Sequence, residues 1–342
     1  MIKDLKYLAA YINPTLTVLG LWLGGGYTFM NVIFVFVLVP IIDQFSPISE
    51  ENVSINEQAE FLKRRLFDWL LYLNLPILYF VLGYFIYQLN TVPMTGFEMA
   101  GNLISVGIVI GTCGINVGHE LGHRTSKIDH LTSQLLLLPA LYVHFFVEHN
   151  RGHHKHVGTD LDPASAKKGE GLYFFWLKST FLGYSSAWKI EADRLRKNKQ
   201  GVFSIDNTML LFTFSQIGYI WLIYFFTGYP NMLYVLLAGV IGLLLLETIN
   251  YLEHYGLRRK KLENGRYEKV LPKHSWNSNH SFGRIVLYEL TRHSDHHYIA
   301  SKKYQILDHH EDSPQLPAGY PAMILAALLP PLWFFLMDKR IP

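Results

Sequence analysis

Long apolar runs separated by short glycine-rich or polar stretches dominate the chain. Leu5 to Leu23 is apolar apart from Lys6, Asn13, Thr15 and Thr17, and it ends in Gly24-Gly25-Gly26, a natural tight connection. Tyr27 to Ile42 continues as a second run and stops at Asp43. A third spans 69–87, with a kink predicted at Pro76, and a fourth spans 97–117 with Glu98 at its outer edge. Residues 209–226 and 232–251 form two more, joined by Gly228-Tyr229-Pro230-Asn231. Each approaches the roughly 20 residues that cross a bilayer, so the pattern predicts six transmembrane helices in an all-α integral membrane protein. Two apolar stretches fit less well. Residues 131–147 are short and carry Pro139 and His144, which suits a re-entrant or interfacial segment. Residues 321–337 are interrupted by Pro330-Pro331 and read as a packed or interfacial helix.

The charges supply the orientation. With six spans, every Lys and Arg falls on or at the edge of one side, and the three short loops of the other side hold none. By the positive-inside rule the basic side is cytoplasmic, together with both termini. Spanning residues 131–147 would place His149 across the membrane from His119, so that segment is kept on the cytoplasmic side.

Composition agrees. Half of the 342 residues are hydrophobic, and the polar segments look too dependent on the helices to fold alone, so a single membrane domain over 1–342 is expected. The N-terminus lacks a cleavable signal pattern, so the first run is expected to be retained. The formal net charge of +3 rules out nothing by itself, and the distribution of the charges carries the information; no nucleic-acid partner is expected. One cysteine, Cys113, excludes disulfides, iron–sulfur motifs and a rubredoxin-like Cys-x-x-Cys pair within the chain.

The candidate chemistry lies in four histidine clusters on the cytoplasmic side. They are His119-Glu120-Leu121-Gly122-His123; Glu148-His149-Asn150-Arg151-Gly152-His153-His154; Asn250-Tyr251-Leu252-Glu253-His254; and Arg292-His293-Ser294-Asp295-His296-His297. His119 and His123 share a helical face, as do His149 and His153 at i,i+4; His293 and His296 stand at i,i+3. The adjacent pairs His153-His154 and His296-His297 can each serve two metals, because neighbouring side chains on a helix diverge by about 100°. Nine imidazoles exceed what one first-row ion uses, so two ions side by side are expected.

Glu120, Glu148, Glu253 and Asp295 adjoin these rings and would orient them by accepting an N–H; Asn250 stands with Glu247 on a polar stripe leading to His254. His274 and His280 are weaker candidates for the same supporting role. His119-Glu120-Leu121-Gly122-His123 is also a literal zinc-protease signature, but a single-zinc hydrolase leaves about six histidines unexplained. A nitrogen-rich site for two metals beside an apolar membrane suits iron, dioxygen and a lipid-like substrate better than hydrolysis.

These motifs, with Leu161-Asp162-Pro163-Ala164-Ser165, His274–His280, Gly265-Arg266-Tyr267-Glu268 and Gly319-Tyr320-Pro321, resemble those of the membrane-bound alkane 1-monooxygenases of the fatty-acid desaturase and hydroxylase superfamily, over about residues 14 to 338. The resemblance implies a multi-pass protein of the bacterial cytoplasmic (inner) membrane with a non-haem di-iron centre that hydroxylates the terminal methyl of n-alkanes with O2. It implies nine iron ligands: His119, His123, His149, His153, His154, His254, His293, His296 and His297. Electrons would come from a separate rubredoxin reduced by an NAD(P)H-dependent reductase. Arg194-Leu195-Arg196-Lys197 and Arg258-Arg259-Lys260-Lys261 are candidate docking sites for that acidic protein, although membrane orientation explains them equally well. A related oxidase acting on a fatty-acyl chain, a sterol, a carotenoid or an aryl methyl group is the alternative.

Overall fold

A computed structural model describes residues 2–342; Met1, the first residue of the expected domain, lies outside them. The described residues form helices and connecting loops, with isolated β-bridges and no strand. Four helices are long and apolar enough to cross a membrane: α2 (Gly25–Phe45), α3 (Arg65–Thr91), α4 (Gly96–Gly122) and α7 (Thr208–His254). The 47-residue α7 is two helices merged across a kink, since Gly228 has φ 70° and Pro230 follows it. That break falls in the Gly228–Asn231 joint expected from the sequence. The first apolar run departs from a regular span. It is a 3-10 helix, Ile2–Tyr11, leading into α1 (Ile12–Leu23).

Proline sets the local irregularities. Pro76 has no N–H for the carbonyl four residues back, and α3 breaks at Leu73 between Arg65–Tyr72 and Asn74–Thr91. Pro40 likewise follows a π-turn at Phe34–Leu38 in α2.

The helix α4 is central. Of its most apolar window 78% is buried, against 22–44% in the other three. It meets the second half of α7 through glycine: a Cβ at Gly107 would lie 2.5 Å from Ile241 Cγ2, and one at Gly242 would lie 2.7 Å from Ile110 Cγ2. Small residues let the two backbones approach, as helix packing in lipid favours. A polar knot fixes α1 and α2 against α4. Asn31 Nδ2 donates to Asn13 Oδ1 and Asn13 Nδ2 donates to Thr112 Oγ1, each at 2.5 Å.

Residues 131–147 do not continue as one helix. The helix α5 (Lys127–Leu137) passes into a 3-10 turn, the chain reverses at Leu141 (φ 52°), and it returns as Phe145–Glu148. The turn sits against α7, where any side chain at Gly239 would overlap the Pro139 carbonyl oxygen. The segment begins eight residues after His123 and ends two residues before His149.

The remaining polar chain wraps the ends of α4 and α7. It includes α6 (Leu172–Lys197) and the short α8 (His293–Tyr298). Asn277 fixes the start of α8 by accepting from Ser294 N (2.8 Å) and donating to Ser294 Oγ (2.7 Å). The buried Arg292 guanidinium donates to the carbonyls of Glu51 (2.7 Å) and Leu307 (2.5 Å). Asp43, at the end of α2, accepts from Gly283 N at 2.8 Å and ties this wrap to the bundle.

Candidate metal centre

Helix ends carry the histidines. His119 stands in the last turns of α4, with His123 just beyond its end, and His254 closes α7; α8 supplies His293, His296 and His297. The remaining three lie on the return from the Leu141 reversal. There the expected i,i+4 geometry fails, because His149–His153 forms a π-turn. A π-turn brings residues five apart onto one face, and His149 Nε2 meets His154 Nε2 at 3.0 Å.

All nine rings gather into two adjoining groups. His119, His123, His149, His154 and His296 each offer a nitrogen within 4.8 Å of the others, and His153, His254, His293 and His297 do the same. In α8 the i,i+4 residues His293 and His297 share a group, while His296 faces the other. The adjacent pairs 153/154 and 296/297 divide between the groups. The rings of His154 and His297 stack at 4.3 Å where the groups touch.

The nitrogens fit metal ions. Facing Nε2 atoms lie 2.9 Å apart in His119–His296 and 3.2 Å apart in His254–His293. Metal–nitrogen bonds of about 2.1 Å put neighbouring ligand atoms about 3.0–3.4 Å apart. Buried nitrogens without a hydrogen-bond partner remain on His123, His153, His154, His254, His293 and His297. Burial, followed by crowding from neighbouring rings, holds His149, His154, His293 and His297 well below the ordinary imidazole pKa, and His296 at about 3. Neutral rings with free lone pairs are what a transition metal requires.

Carboxylates flank the rings unevenly. Glu253 Oε2 lies 3.1 Å from His293 Nε2, and Tyr320 OH donates to Glu253 Oε1 at 2.9 Å. Glu120 is taken up by Arg124 (3.4 Å) and the Tyr304 amide (3.3 Å). Asp295 pairs with Lys302 (2.7 Å) and His310 (2.7 Å). Asn250 donates to Glu247 at 3.5 Å. Glu148 has an unpartnered buried oxygen, and burial raises its pKa to about 8. His274 binds Glu268 at 3.1 Å and His280 meets Ser278 Oγ at 2.9 Å, so both lie outside the two groups.

Sequence reasoning missed Asp162, whose Oδ2 meets His153 Nδ1 at 2.9 Å. Burial pulls the His153 pKa down, but Asp162 prevails and raises it. The only signal was its place in Leu161-Asp162-Pro163-Ala164-Ser165. Serine three residues on is the second anchor, with Ser165 Oγ donating to Asp162 at 2.5 Å.

An apolar cavity runs from His119 into the bundle between α2, α4 and α7, lined by Phe36, Ile108, Leu245, Leu246, Ile249 and Ile324 among others. The π-turn at Ile110–Asn116 places Gly111, Thr112 and Asn116 on its wall.

A bundle of apolar helices ending in two histidine cages describes a membrane metalloenzyme acting on an apolar substrate. Residues 99–327 match the fatty acid desaturase family. The chain is 34% identical to the alkane 1-monooxygenase of Acinetobacter baylyi, over 99% of this chain and 85% of that one. It is 36% identical to alkane 1-monooxygenase 1 of Alcanivorax borkumensis, over 98% and 84%. A more distant relative is the hydroxylase component of the xylene/toluene monooxygenase of Pseudomonas putida, at 26% over 97% and 88%. The chain belongs to the alkane 1-monooxygenases within the fatty acid desaturase family.

Proposed function

We propose that this protein is a non-haem di-iron monooxygenase that converts the terminal methyl of an n-alkane into a primary alcohol. The observation that carries the reading is the cavity, which leads from apolar helix faces to His119 in one of the two histidine groups. The nine histidines would hold the metals, five in one group and four in the other. Two irons bound there supply the oxidising power that breaking an unactivated C–H bond with O2 requires.

The chain's own residues do the rest. Leu245, Leu246, Ile249 and Ile108 bind and straighten an alkyl chain and exclude water, so its end meets the histidines. Glu148 lines a cavity with His149 and His153 and holds its proton at neutral pH, within reach of chemistry that consumes protons along with O2. Glu120 is occupied by Arg124 and Tyr304, which argues against the general-base role that a zinc protease would give it.

The six spans of a single domain, with the basic loops and histidines facing the cytoplasm of a bacterial inner membrane, complete the reading; charge distribution supports it. The electrons would arrive from a separate rubredoxin and its NAD(P)H-dependent reductase. The test is conversion of a hexane-to-hexadecane series by protein in lipid nanodiscs supplied with those two proteins. 1-Alkanols that depend on O2 and on rubredoxin are expected, and no alcohol from any alkane contradicts the reading. Toluene belongs in the panel because the xylene/toluene relative makes aryl-methyl hydroxylation the second reading.

A further inference from the structure

Between Val286 and Arg292 the chain turns through Tyr288 (φ 52°) and Glu289 (φ 61°), among the described residues the one consecutive pair of non-glycine residues at positive φ. A Cβ crowds the backbone in that region, so L-residues enter it at a cost and stay only where their surroundings impose it. The surroundings do so from several sides. Tyr288 OH accepts from Asn74 Nδ2 (3.1 Å) and donates to the Leu70 carbonyl (3.2 Å), and its ring stacks on Tyr7. The Glu289 amide donates to the Arg284 carbonyl (2.8 Å), and the Glu289 carbonyl accepts from Arg292 N (2.9 Å). Asn116 Nδ2, on α4, donates to the Leu287 carbonyl at 3.0 Å.

The strain places two side chains. Leu287 and Leu290, on either side of the left-handed pair, both line the apolar cavity that reaches His119, whereas Tyr288 and Glu289 do not. Asn116 stands three residues before His119, and Leu290 three before His293. This wall therefore lies at the end of the cavity nearest the histidines.

We propose that the turn is the stop at that end: it sets Leu287 and Leu290 so that the terminal methyl of an alkane, and not the methylene beside it, reaches the histidines. Both leucines are positioning residues. This rests on the alkane-hydroxylase reading above. A methylene C–H bond is weaker than a methyl C–H bond, so an oxidant able to break either attacks the methylene unless the site holds it out of reach. Insertion at either carbon has the same balance: alkane, O2, two electrons and two protons give one alcohol and one water. The position of the hydroxyl then reads geometry alone.

The experiment is oxidation of octane by the iron-loaded full chain in nanodiscs with rubredoxin and its reductase, with the ratio of 2-octanol to 1-octanol read by gas chromatography. Leu287→Ala and Leu290→Ala are expected to raise that ratio at least about tenfold, the effect of removing methylene-sized contacts. Leu290→Val trims the same wall by one carbon and should move the ratio the same way where an alanine variant fails to load iron. Tyr288→Gly removes the clamp but leaves both leucines in the chain, and is expected to raise the ratio as well. A second readout needs no turnover. An octane analogue carrying a terminal diazirine, irradiated with the iron-loaded chain in the absence of O2, should label the tryptic peptide of residues 285–292. An unchanged ratio in the iron-loaded leucine variants overturns the proposal, and so does a label confined to other peptides. A ratio that Tyr288→Gly leaves unmoved overturns the part given to the turn. Failure of wild-type protein to make either octanol contradicts the alkane-hydroxylase reading instead.

Discussion

His119 Nε2 lies 2.9 Å from His296 Nε2, although the two residues are 177 apart in the chain. His297, the next residue, belongs to the other group. His296→Ala and His297→Ala should therefore remove different metals. Each variant is expected to retain about one iron per chain and to lose at least about 100-fold in activity, beyond the effect typical of residues that merely support a ligand. Metal analysis with 57Fe Mössbauer spectra of both variants checks this, and each should keep the doublet that the other loses.

Chain length should be set where the cavity ends. Ile108 lies eleven residues before His119 along α4, about 16 Å at the helical rise, and Leu245 faces the same region from α7. Leu245→Phe is expected to shift the product spectrum toward shorter alkanes, and Leu245→Ala toward longer ones. One methylene in an apolar pocket is worth about 1–3 kcal/mol, so ratios between neighbouring alkanes should move by about tenfold or more. Competition between pairs of alkanes, read by gas chromatography, tests it.

Glu289 should make stability depend on pH. It is buried between Arg284 (2.5 Å), Tyr7 OH (2.7 Å) and Lys6 (3.3 Å). Burial alone would raise its pKa, but Arg284, Lys6 and Arg292 overcome that and hold it below the ordinary glutamate range. A pKa lower in the folded than in the unfolded chain means that folding disfavours the proton. The stabilisation is complete above about pH 4.3 and is lost as the pH falls through the lower folded value. Glu289→Gln leaves Arg284 buried without its partner, at a cost of about 3–5 kcal/mol. Thermal unfolding in detergent should show a lowered Tm at pH 7, and the gap to wild-type protein should narrow in acid.

Gly107→Val tests the helix contact that carries the centre. Its side chain would meet Ile241 and the Ala238 carbonyl, forcing α4 from α7. Overpacking of this kind costs about 1–3 kcal/mol, and a lowered Tm with loss of iron is the expected outcome.

Much of this was legible in the chain. Apolar runs and turn residues marked the helices, because lipid imposes length and composition on any segment that crosses it. The Gly228–Asn231 joint is one example. Four motifs named the nine rings. Their partition was hidden, because it depends on the π-turn at His149–His153 and on the contact of His296 with His119, 177 residues away. An i,i+4 reading paired His149 with His153, whereas one extra residue in the turn gave His149 to His154. Asp162 was hidden for a related reason. It reaches His153 through a loop, and no helical spacing records that contact. The reversal at Leu141, a branched residue at positive φ, follows from the packing of Pro139 against α7, which no local pattern announces.

The proposed chemistry requires nine rings holding two irons. The most direct measurement is the metal content of protein purified from cells grown with both iron and zinc available, by inductively coupled plasma mass spectrometry against chain concentration. Two irons per chain are predicted, falling toward one in His296→Ala. One metal per chain, or zinc in place of iron, would contradict it.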